Sequence, residues 1–533
     1  MTTSLEDLNQ RLLDDLGKAL NRAHNVSFSL KFWERFLGYW FANFVDLAKV
    51  EWASAREAIP EAQITKSEES AARPIRRMSQ LLEFSQSEGW RSLLRSDATE
   101  FVKTGQVLPR KHVDRSIIQN SNPLERASLV KKFARNVVHR IVPRSSRFIL
   151  VTTYLSLWSN IALAFRLRSA PTYWVEPTVP VRQLSLDLRT SICEMLSGHE
   201  DDSFDIFIRS VISDYLPMSV VEEFEVVAQA VDQMRPRSPK VIFSANLHFA
   251  SDTFACWLAK QCDMGAVLLL SQHGGLNGQG FHPTNDENLE KRIADWYCHW
   301  GWSTRPTDVR IPAQSIVWVR SRRRVKSDGP IVLMSDATFR FKRNTWTDSH
   351  RYKHLVIETF GAIPNKFRSR AIVRLHRDHD RYDESHIGMW NGSFPEAIID
   401  DGWRSVKKLQ KSAKLLICTT YGTTEIECFG RNIPVVLSLD RELHQPRESF
   451  ADLLCEMESV GLVHFNRESL RAFLDENLDD LGKWWNSAVV QQTVSKYMNN
   501  YGYMPRRPIS ELARILREAE RSSRKRSLPQ SNQ

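Results

Sequence analysis

Apolar and polar positions divide the chain into a helical first part and a longer part in which strands and helices alternate. In residues 1–145 the apolar side chains recur at three- and four-residue spacing, and no run has the pattern of a strand. The most apolar segment places Phe32, Phe36, Trp40 and Phe44 on one helix stripe. We predict a core helix that docks on the rest of the protein, with a membrane-surface helix as the alternative.

Short aliphatic runs alternate with helical stretches from about residue 146, as is typical of parallel α/β layers. They form two blocks, which a basic connector, RSRRRVKSDG, separates. The runs of the first block are 148–155, 240–246 and 266–275, and those of the second are 330–336, 370–376, 414–420 and 433–439. Because open parallel sheets bind ligands beyond the carboxyl ends of their strands, the pattern predicts two Rossmann-like α/β domains that face each other across a cleft.

Four regions follow from this pattern: an N-terminal helical region (1–145), a first Rossmann-like domain (146–325), a second one (326–505) and a basic tail (506–533). The tail is expected to be a frayed, solvated helix that ends in disorder. Residues 148–165 carry no charge and are just long enough to cross a bilayer. Their character changes halfway, from β-rich to helical, so a strand, a turn and a helix are favoured over a membrane span.

Composition narrows the classes of protein further. The chain has 533 residues, a formal net charge of +10 and 42% apolar residues, which indicates a globular protein of several domains. Its seven cysteines include no CxxC pair, and the first residues lack the apolar core of a signal peptide. A reducing, cytoplasmic location is therefore expected.

The segment SQHGGLNGQG follows an apolar run and concentrates glycines at one strand end. Glycines there let backbone amides approach a ligand closely, and Gln272 and His273 add a donor and a titratable group. A tight turn with an incidental histidine explains the segment equally well. The chain has no GxGxxG or GxxxxGK[ST] loop, which disfavours ordinary dinucleotide-binding and P-loop enzymes.

A second strand end is followed by a helix start in CTTYGTTEIECFGRNIP. Thr423 and Thr424 fall at the helix N-terminus, where backbone N–H groups favour a phosphate, although capping alone also explains them. Of Glu425 and Glu427, one can reach a ribose hydroxyl while the other caps the helix or faces solvent.

Cationic side chains end a third run, in RAIVRLHRDHD. Arg374 and His376 share one face by the two-residue period of a strand, and they suit an anionic diphosphate. A metal site formed with Asp378, His379 and Asp380 is the alternative, but the spacing matches no zinc pattern. We predict no bound metal.

Several separated motifs resemble, in their order along the chain, those of transferases encoded in bacterial O-antigen and surface-polysaccharide loci. The motifs are LNRAHNVSFSLKFWERFLGYWF, DYLPMSVVEEFE, SQHGG, ADWYCHWGW, VRLHRD, TTEIECFGRNIP and VGLVHFNRESL, and they lie between residues 20 and 505. The family pattern QHGGxYG has a tyrosine where this chain has Asn277. The VRLH segment is also similar to a motif of CMP-sugar and CDP-glycerol transferases, with Arg377 in place of proline.

This resemblance implies a glycosyltransferase B type architecture and a lipopolysaccharide or surface-polysaccharide role. It implies a nucleotide-sugar donor as co-substrate, a glycan or glycolipid acceptor, and no other cofactor. Arg374 and His376 would hold the donor phosphate, Thr423 and Thr424 would add amides and hydroxyls, and Glu427 would hold the ribose. Gln272, His273, Gly274 and Gly275 would face them from the first, acceptor-side domain.

The chemistry expected is displacement at the activated sugar carbon by an acceptor hydroxyl. His273 is the preferred general base because imidazole titrates near neutrality, and Asp252 is the second choice. No nucleic-acid partner is expected, and a peripheral contact with the inner membrane fits the resemblance. The alternative is a basic, non-catalytic protein that binds nucleic acid or an anionic membrane, for which charge should concentrate on one exposed face.

Overall fold

The computed structural model describes residues 5–57, 74–105, 146–170, 174–196, 203–281, 285–316, 324–336, 348–377 and 386–526. Within them, a helical N-terminal region precedes two parallel sheets. The N-terminal helices are α1 (Leu5–Ala23), α2 (Leu30–Glu57), α3 (Leu81–Gln86) and α4 (Glu88–Thr104). The stripe predicted on α2 is buried, and it shares one hydrophobic core with Ile149 and Leu268 of the first sheet. The predicted core helix is thus confirmed.

The first sheet is parallel, and its strands follow one another in chain order. They are β1 (Phe148–Val151), β2 (Val241–Ser244), β3 (Val267–Ser271), β4 (Trp296–His299) and β5 (Val309–Arg310). Side chains of alternate residues enter different cores, because successive residues of a strand point to opposite faces. Ile242 and Leu268 face the N-terminal helices, whereas Val241 and Val267 face a second core that continues into the other domain.

The helices of this part of the chain divide between the two faces of the sheet. They are α5 (Leu157–Leu167), α6 (Leu186–Leu196), α7 (Ser203–Tyr215), α8 (Phe224–Asp232), α9 (Leu247–Ala250), α10 (Asp252–Asp263) and α11 (Asn285–Ile293). Sequential parallel strands with right-handed crossovers place their connecting helices on one face. Helices α8, α10 and α11 pack there beside α2, whereas α5 packs on the other face.

The second sheet is also parallel, and its order is β11-β10-β9-β6-β7-β8. Its strands are β6 (Ile331–Met334), β7 (Ile372–Arg374), β8 (Ile398–Asp400), β9 (Leu415–Cys418), β10 (Val435–Ser438) and β11 (Val463–His464). From β6 the chain builds outward to β8, then returns to the other side of β6 and builds outward to β11. This reversal is the doubly wound order of a Rossmann domain, and it opens a crevice between β6 and β9.

Helices cover both faces of the second sheet. They are α12 (Ser349–Ala362), α13 (Asn365–Arg368), α14 (His386–Ser393), α15 (Val406–Ser412), α16 (Thr423–Arg431), α17 (Glu448–Ser459), α18 (Arg467–Asn477), α19 (Leu481–Trp485) and α20 (Ala488–Tyr501). The two predicted Rossmann-like α/β domains are therefore confirmed as a fold class.

The structure tests the predictions for residues 148–165 and for the basic tail. Residues 148–165 form strand β1 and the start of helix α5, as predicted, and no helix of the described ranges is long and apolar enough to cross a membrane. The basic tail differs from expectation, because Pro508–Arg526 forms helix α21. Leu512, Ile515 and Leu516 of α21 are buried in the core that covers the first sheet on the side of α5. A frayed, solvated helix is therefore wrong for these residues, while 527–533 lie outside the described residues.

Candidate active site

The glycine-rich loop after β3 contacts the start of α16 in the second domain. The Gly275 amide donates a hydrogen bond to Oγ1 of Thr423 at 3.2 Å. A Cβ atom on Gly275 would lie 1.8 Å from the carbonyl oxygen of Gly422, so only glycine permits this approach. The glycine-rich loop of the first domain thus touches the helix N-terminus of the second.

The glycine loop is braced from behind by Gln272. This side chain is fully buried. Its amide donates to the carbonyl oxygen of Gly274 at 2.7 Å, and its Oε1 accepts hydrogen bonds from the Trp300 amide and the Trp302 indole at 3.0 and 2.9 Å. The predicted contact of Gln272 with a donor is corrected, because these buried bonds make it a support of the loop. The same bonds explain two tryptophans of the ADWYCHWGW motif.

His273 lies beside a buried carboxylate that the sequence analysis did not identify. Its Nε2 is 3.4 Å from Oε1 of Glu290, whose side chain is fully buried, while 18% of the His273 side chain is exposed. Nε2 of His248 lies at the same distance from the same oxygen. Burial, and then the charge of His273, lower the pKa of His248 to about 3, so His248 is neutral near pH 7.

These groups follow the carboxyl ends of the first three strands. Tyr154 follows β1, and its hydroxyl accepts a hydrogen bond from the Asn246 side chain, after β2, at 2.7 Å. Burial, and then the charge of Glu290, raise the pKa of Tyr154. Tyr154, His273 and Glu290 thus lie together at one edge of the first sheet.

Asp252, the second choice for the base, is committed elsewhere. Its carboxylate is buried at the first position of α10 and accepts hydrogen bonds from the Ser219 hydroxyl and the Met78 amide, the latter at 2.9 Å. These contacts tie α10 to the N-terminal region. The structure thus corrects the expectation that Asp252 is held ready for proton transfer.

The crevice of the second sheet is bordered by Thr419 after β9 and Ser335 after β6. The α16 helix starts there, with the half-buried Thr423 and Thr424 in its first turn.

Glu425 caps the helix by accepting the Gly422 amide hydrogen at 2.6 Å. Its carboxyl is buried, which raises its pKa from 4.5 to about 7. Glu427 instead lies on the flank of the helix, where it accepts a hydrogen bond from Gln410 at 3.0 Å. Glu425 thus caps the helix, whereas Glu427 lies on its flank.

The third predicted strand end is that of β7, which is not next to β9 in the sheet. His376 follows β7, and β6 separates β7 from β9. Neighbouring strands are about 4.8 Å apart, so the ends of β7 and β9 are about 10 Å apart. The strand before His376 and the strand before Thr423 are therefore not adjacent. One phosphate does not span that distance, whereas a longer ligand such as a nucleoside diphosphate does.

Arg374 is directed into the protein. It is buried, its Nε lies 3.9 Å from Asp400 on the neighbouring strand β8, and its guanidinium donates to the Leu375 carbonyl. Burial lowers its pKa. The predicted phosphate contact of Arg374 is corrected to a structural ion pair between β7 and β8.

A buried network joins the two domains below the glycine loop. The Gln279 amide donates to the Tyr497 hydroxyl at 2.9 Å, and that hydroxyl donates to Glu425 at 3.2 Å. The glycine loop also needs Gly278, whose φ of +83° and contact with Trp302 exclude a side chain. Sequence reasoning recognised the glycines but not this network, whose members are more than 70 residues apart in two of its steps.

The described residues contain no group of three or more histidine, cysteine or acidic side chains that could hold a metal ion. Asp378, His379 and Asp380, the remaining members of the alternative metal site with His376, lie outside the described residues.

Comparison with known proteins gives one family. A family model described as LIC12162 family transferase matches residues 2–516. No curated protein matches the chain.

Solved structures resemble the chain only distantly. An O-GlcNAc transferase mutant from Thermobaculum terrenum is 13% identical, with 99% of this chain and 100% of that chain covered and a TM-score of 0.37. MurG of Acinetobacter baumannii is 11% identical, with 70% and 99% covered and a TM-score of 0.34. WaaG, a glycosyltransferase involved in lipopolysaccharide biosynthesis, is 11% identical, with 69% and 98% covered and a TM-score of 0.30.

Proposed function

The chain belongs to the LIC12162 family of transferases, and we propose that it is a glycosyltransferase of bacterial surface-polysaccharide or O-antigen biosynthesis. It would move a sugar or a related group from a nucleotide-activated donor to a glycan or glycolipid acceptor. The observation that carries this proposal is the contact between Gly275 and Thr423. It supports a site in which the His–Glu pair of one domain would act on a ligand held at the helix N-terminus of the other.

The second domain supplies the donor side of the proposal. A helix N-terminus at the reversal point of a parallel sheet is a favourable place for a phosphate, because free N–H groups and the helix dipole both attract an anion. Thr423 and Thr424 would add hydroxyl groups to that site. His376, about 10 Å away across β6, would bind the far end of a diphosphate or its sugar. Glu427 would accept a ribose hydroxyl, and the Gly274 and Gly275 amides would close the site.

The first domain supplies the proton acceptor. If the Nε2 hydrogen of His273 points at Glu290, Nδ1 is the nitrogen that takes the proton of the acceptor hydroxyl. Glu290 would stabilise the imidazolium that forms. Glu290 is thereby a positioning residue and His273 the catalytic base.

In the proposed reaction one bond forms and one bond breaks. The acceptor oxygen forms a bond to the sugar carbon while the bond from that carbon to the donor phosphate breaks. The leaving nucleotide departs with the bonding electron pair, and the start of α16 stabilises its charge. The acceptor proton passes to His273. Holding both substrates between two domains removes much of the entropic cost of bringing them together.

We expect the nucleotide to be found by thermal shift and then by calorimetric titration with UDP, GDP, dTDP and CMP. A ligand that binds only the folded state stabilises it by about 2.7 kcal/mol at a hundredfold excess over Kd. His376→Ala should weaken the nucleotide that binds by about 1 to 3 kcal/mol, the size of one charge-assisted contact. His354→Ala, at an exposed histidine of α12, is the matched control and should bind as the unmodified protein does.

A panel in which no nucleotide raises the melting temperature would contradict the proposal and favour the alternative, a non-catalytic basic binding protein. Unchanged affinity in a folded His376→Ala variant would remove His376 from the site while leaving the donor proposal intact.

A further inference from the structure

Helix α5 exposes an apolar face. Leu157, Trp158, Ile161 and Phe165 are all exposed, with Trp158 at 78% and Phe165 at 84%. At 3.6 residues per turn these four positions fall on one side of the helix, and we call them the α5 face. The helix is itself docked, because Leu163 and Leu167 are buried in the core.

Such a concentration of apolar side chains is unusual for a solvated surface. Sixteen large apolar side chains are exposed among the described residues, and five of them lie within residues 154–165. Scattered exposed apolar residues need no explanation, whereas a contiguous apolar patch marks a contact surface. The α5 face therefore has the composition of a contact surface.

The end of the same helix borders a cationic cavity. It has a volume of about 380 Å³ and is lined by Arg147, Arg166, Leu167, Arg168, Arg517, Glu520 and Arg521. Arg147 pairs with Glu520 at 2.7 Å. Five arginines against one glutamate leave an excess of four positive charges. We call this the arginine cavity.

The two features are continuous. Arg166 follows Phe165 directly, and the Arg517 guanidinium of α21 donates to the Arg166 carbonyl oxygen. The apolar side chains and the arginines therefore meet at the C-terminal turn of α5.

We infer that the α5 face and the arginine cavity form one docking surface for an anionic lipid bilayer. Exposed Trp and Phe beside arginines are the composition of an interfacial helix, whose apolar side enters the boundary between headgroups and acyl chains. The arginines bind lipid phosphates, and the bidentate geometry of guanidinium suits that group. The apolar face favours a bilayer over nucleic acid, because only a bilayer has an apolar interior that Trp158 and Phe165 can enter.

The α5 face starts on the side of the cleft and ends at the arginine cavity on the opposite edge of the sheet, where Arg147 precedes β1. Helix α5 begins just after β1, at the strand edge that also carries Tyr154 and His273. A glycolipid acceptor would enter from the bilayer at that edge, a step that rests on the proposed function. The docking itself does not.

The test is vesicle flotation of the full chain without any donor. Vesicles of phosphatidylethanolamine and phosphatidylglycerol are compared with vesicles of phosphatidylcholine. We expect the protein to bind the anionic vesicles and to be released by added salt. Arg517→Gln with Arg521→Gln should weaken this binding about 30-fold. Trp158→Ser with Phe165→Ser should weaken it at least tenfold at any salt concentration. Leu82→Ser with Val489→Ser, at exposed apolar positions elsewhere, is the matched control and should bind normally.

Three results would overturn the inference. The unmodified protein could fail to bind anionic vesicles, or both double variants could bind as well as it does. Sedimentation could instead show a dimer that Trp158→Ser with Phe165→Ser dissociates, in which case a second copy covers the α5 face. Because nucleotide titration is independent of vesicle binding, loss of either one leaves the other proposal standing. Equal melting temperatures of all variants show that binding, not folding, has changed.

Discussion

The two sheets differ in which parts of the chain supply the helices that cover them. The second sheet reverses its strand order, so its own connecting helices cover both faces and a crevice opens at the reversal. The first sheet runs in one direction without reversal, so most of its described crossover helices lie on one face, while α5 lies on the other. Helix α2 joins them from the N-terminal region, and α21 covers the other face after the whole second domain. The second domain is built from one stretch of chain, whereas the first depends on three.

The largest expected effect is a loss of stability when buried side chains of α21, which covers one face of the first sheet, are truncated. Ile515→Ala with Leu516→Ala should destabilise the protein by about 4 to 8 kcal/mol, because each truncation leaves a buried cavity. Arg514→Ala, on the exposed side of the same helix, should stay within about 0.5 kcal/mol. Denaturant unfolding measures both. A double variant as stable as the control would show that the first sheet does not need α21.

The next effect concerns the chemistry that only the first domain carries. His273→Ala should lower turnover by about a hundredfold to ten-thousandfold while donor affinity stays nearly unchanged, because proton transfer acts mainly in the transition state. If His273 instead braces the glycine loop, donor affinity and melting temperature should fall together.

A second variant separates orientation from proton transfer at the same site. Glu290→Gln keeps the shape of the side chain but removes the charge beside His273. It should lower turnover less than His273→Ala, because the imidazole that accepts the proton stays in place. Near-normal turnover in the His273→Ala variant would exclude His273 as the base.

How far the sequence predicts this molecule differs between strands and side chains. Runs such as 266–270 and 414–418 were identified because their strands are buried on both faces and therefore uniformly apolar. The strands β4, β5, β8 and β11 were missed, because each carries polar or aromatic residues and β5 and β11 are only two residues long.

The same contrast holds for the site. The rule that ligands bind beyond strand ends placed the glycine loop beside Thr423 correctly. It does not determine which way a side chain turns, so Gln272 and Arg374 were assigned to a ligand although both are buried in structural bonds. Glu290 was missed because it meets His273 only through the packing of α11, 17 positions along the chain.

A smaller effect is expected from the network that joins the domains through Glu425. Its folded-state pKa is about 7 against an ordinary value of 4.5, so the folded protein prefers the protonated form. The associated stability is fully present below pH 4.5 and is lost as the pH rises through about 7. Since each tenfold change in the proton equilibrium is worth about 1.4 kcal/mol, the loss is about 3 kcal/mol. Glu425→Gln should not show this loss. Parallel curves of unfolding free energy against pH for both proteins would contradict the prediction.

The smallest effect tests the contact between the domains at adjacent glycines of one loop. An alanine side chain at position 275 would lie 1.8 Å from the Gly422 carbonyl oxygen, whereas one at position 274 meets no atom within 4 Å. Gly275→Ala must therefore separate the loop from the start of α16, and nucleotide affinity should fall about tenfold, the equivalent of about 1.4 kcal/mol. Gly274→Ala should leave that affinity unchanged, as calorimetric titration would show. Equal affinities in the two variants would mean that the donor binds the second domain without any closure by the first. A loss in both would instead assign the whole loop, rather than its contact with Gly422, to the donor.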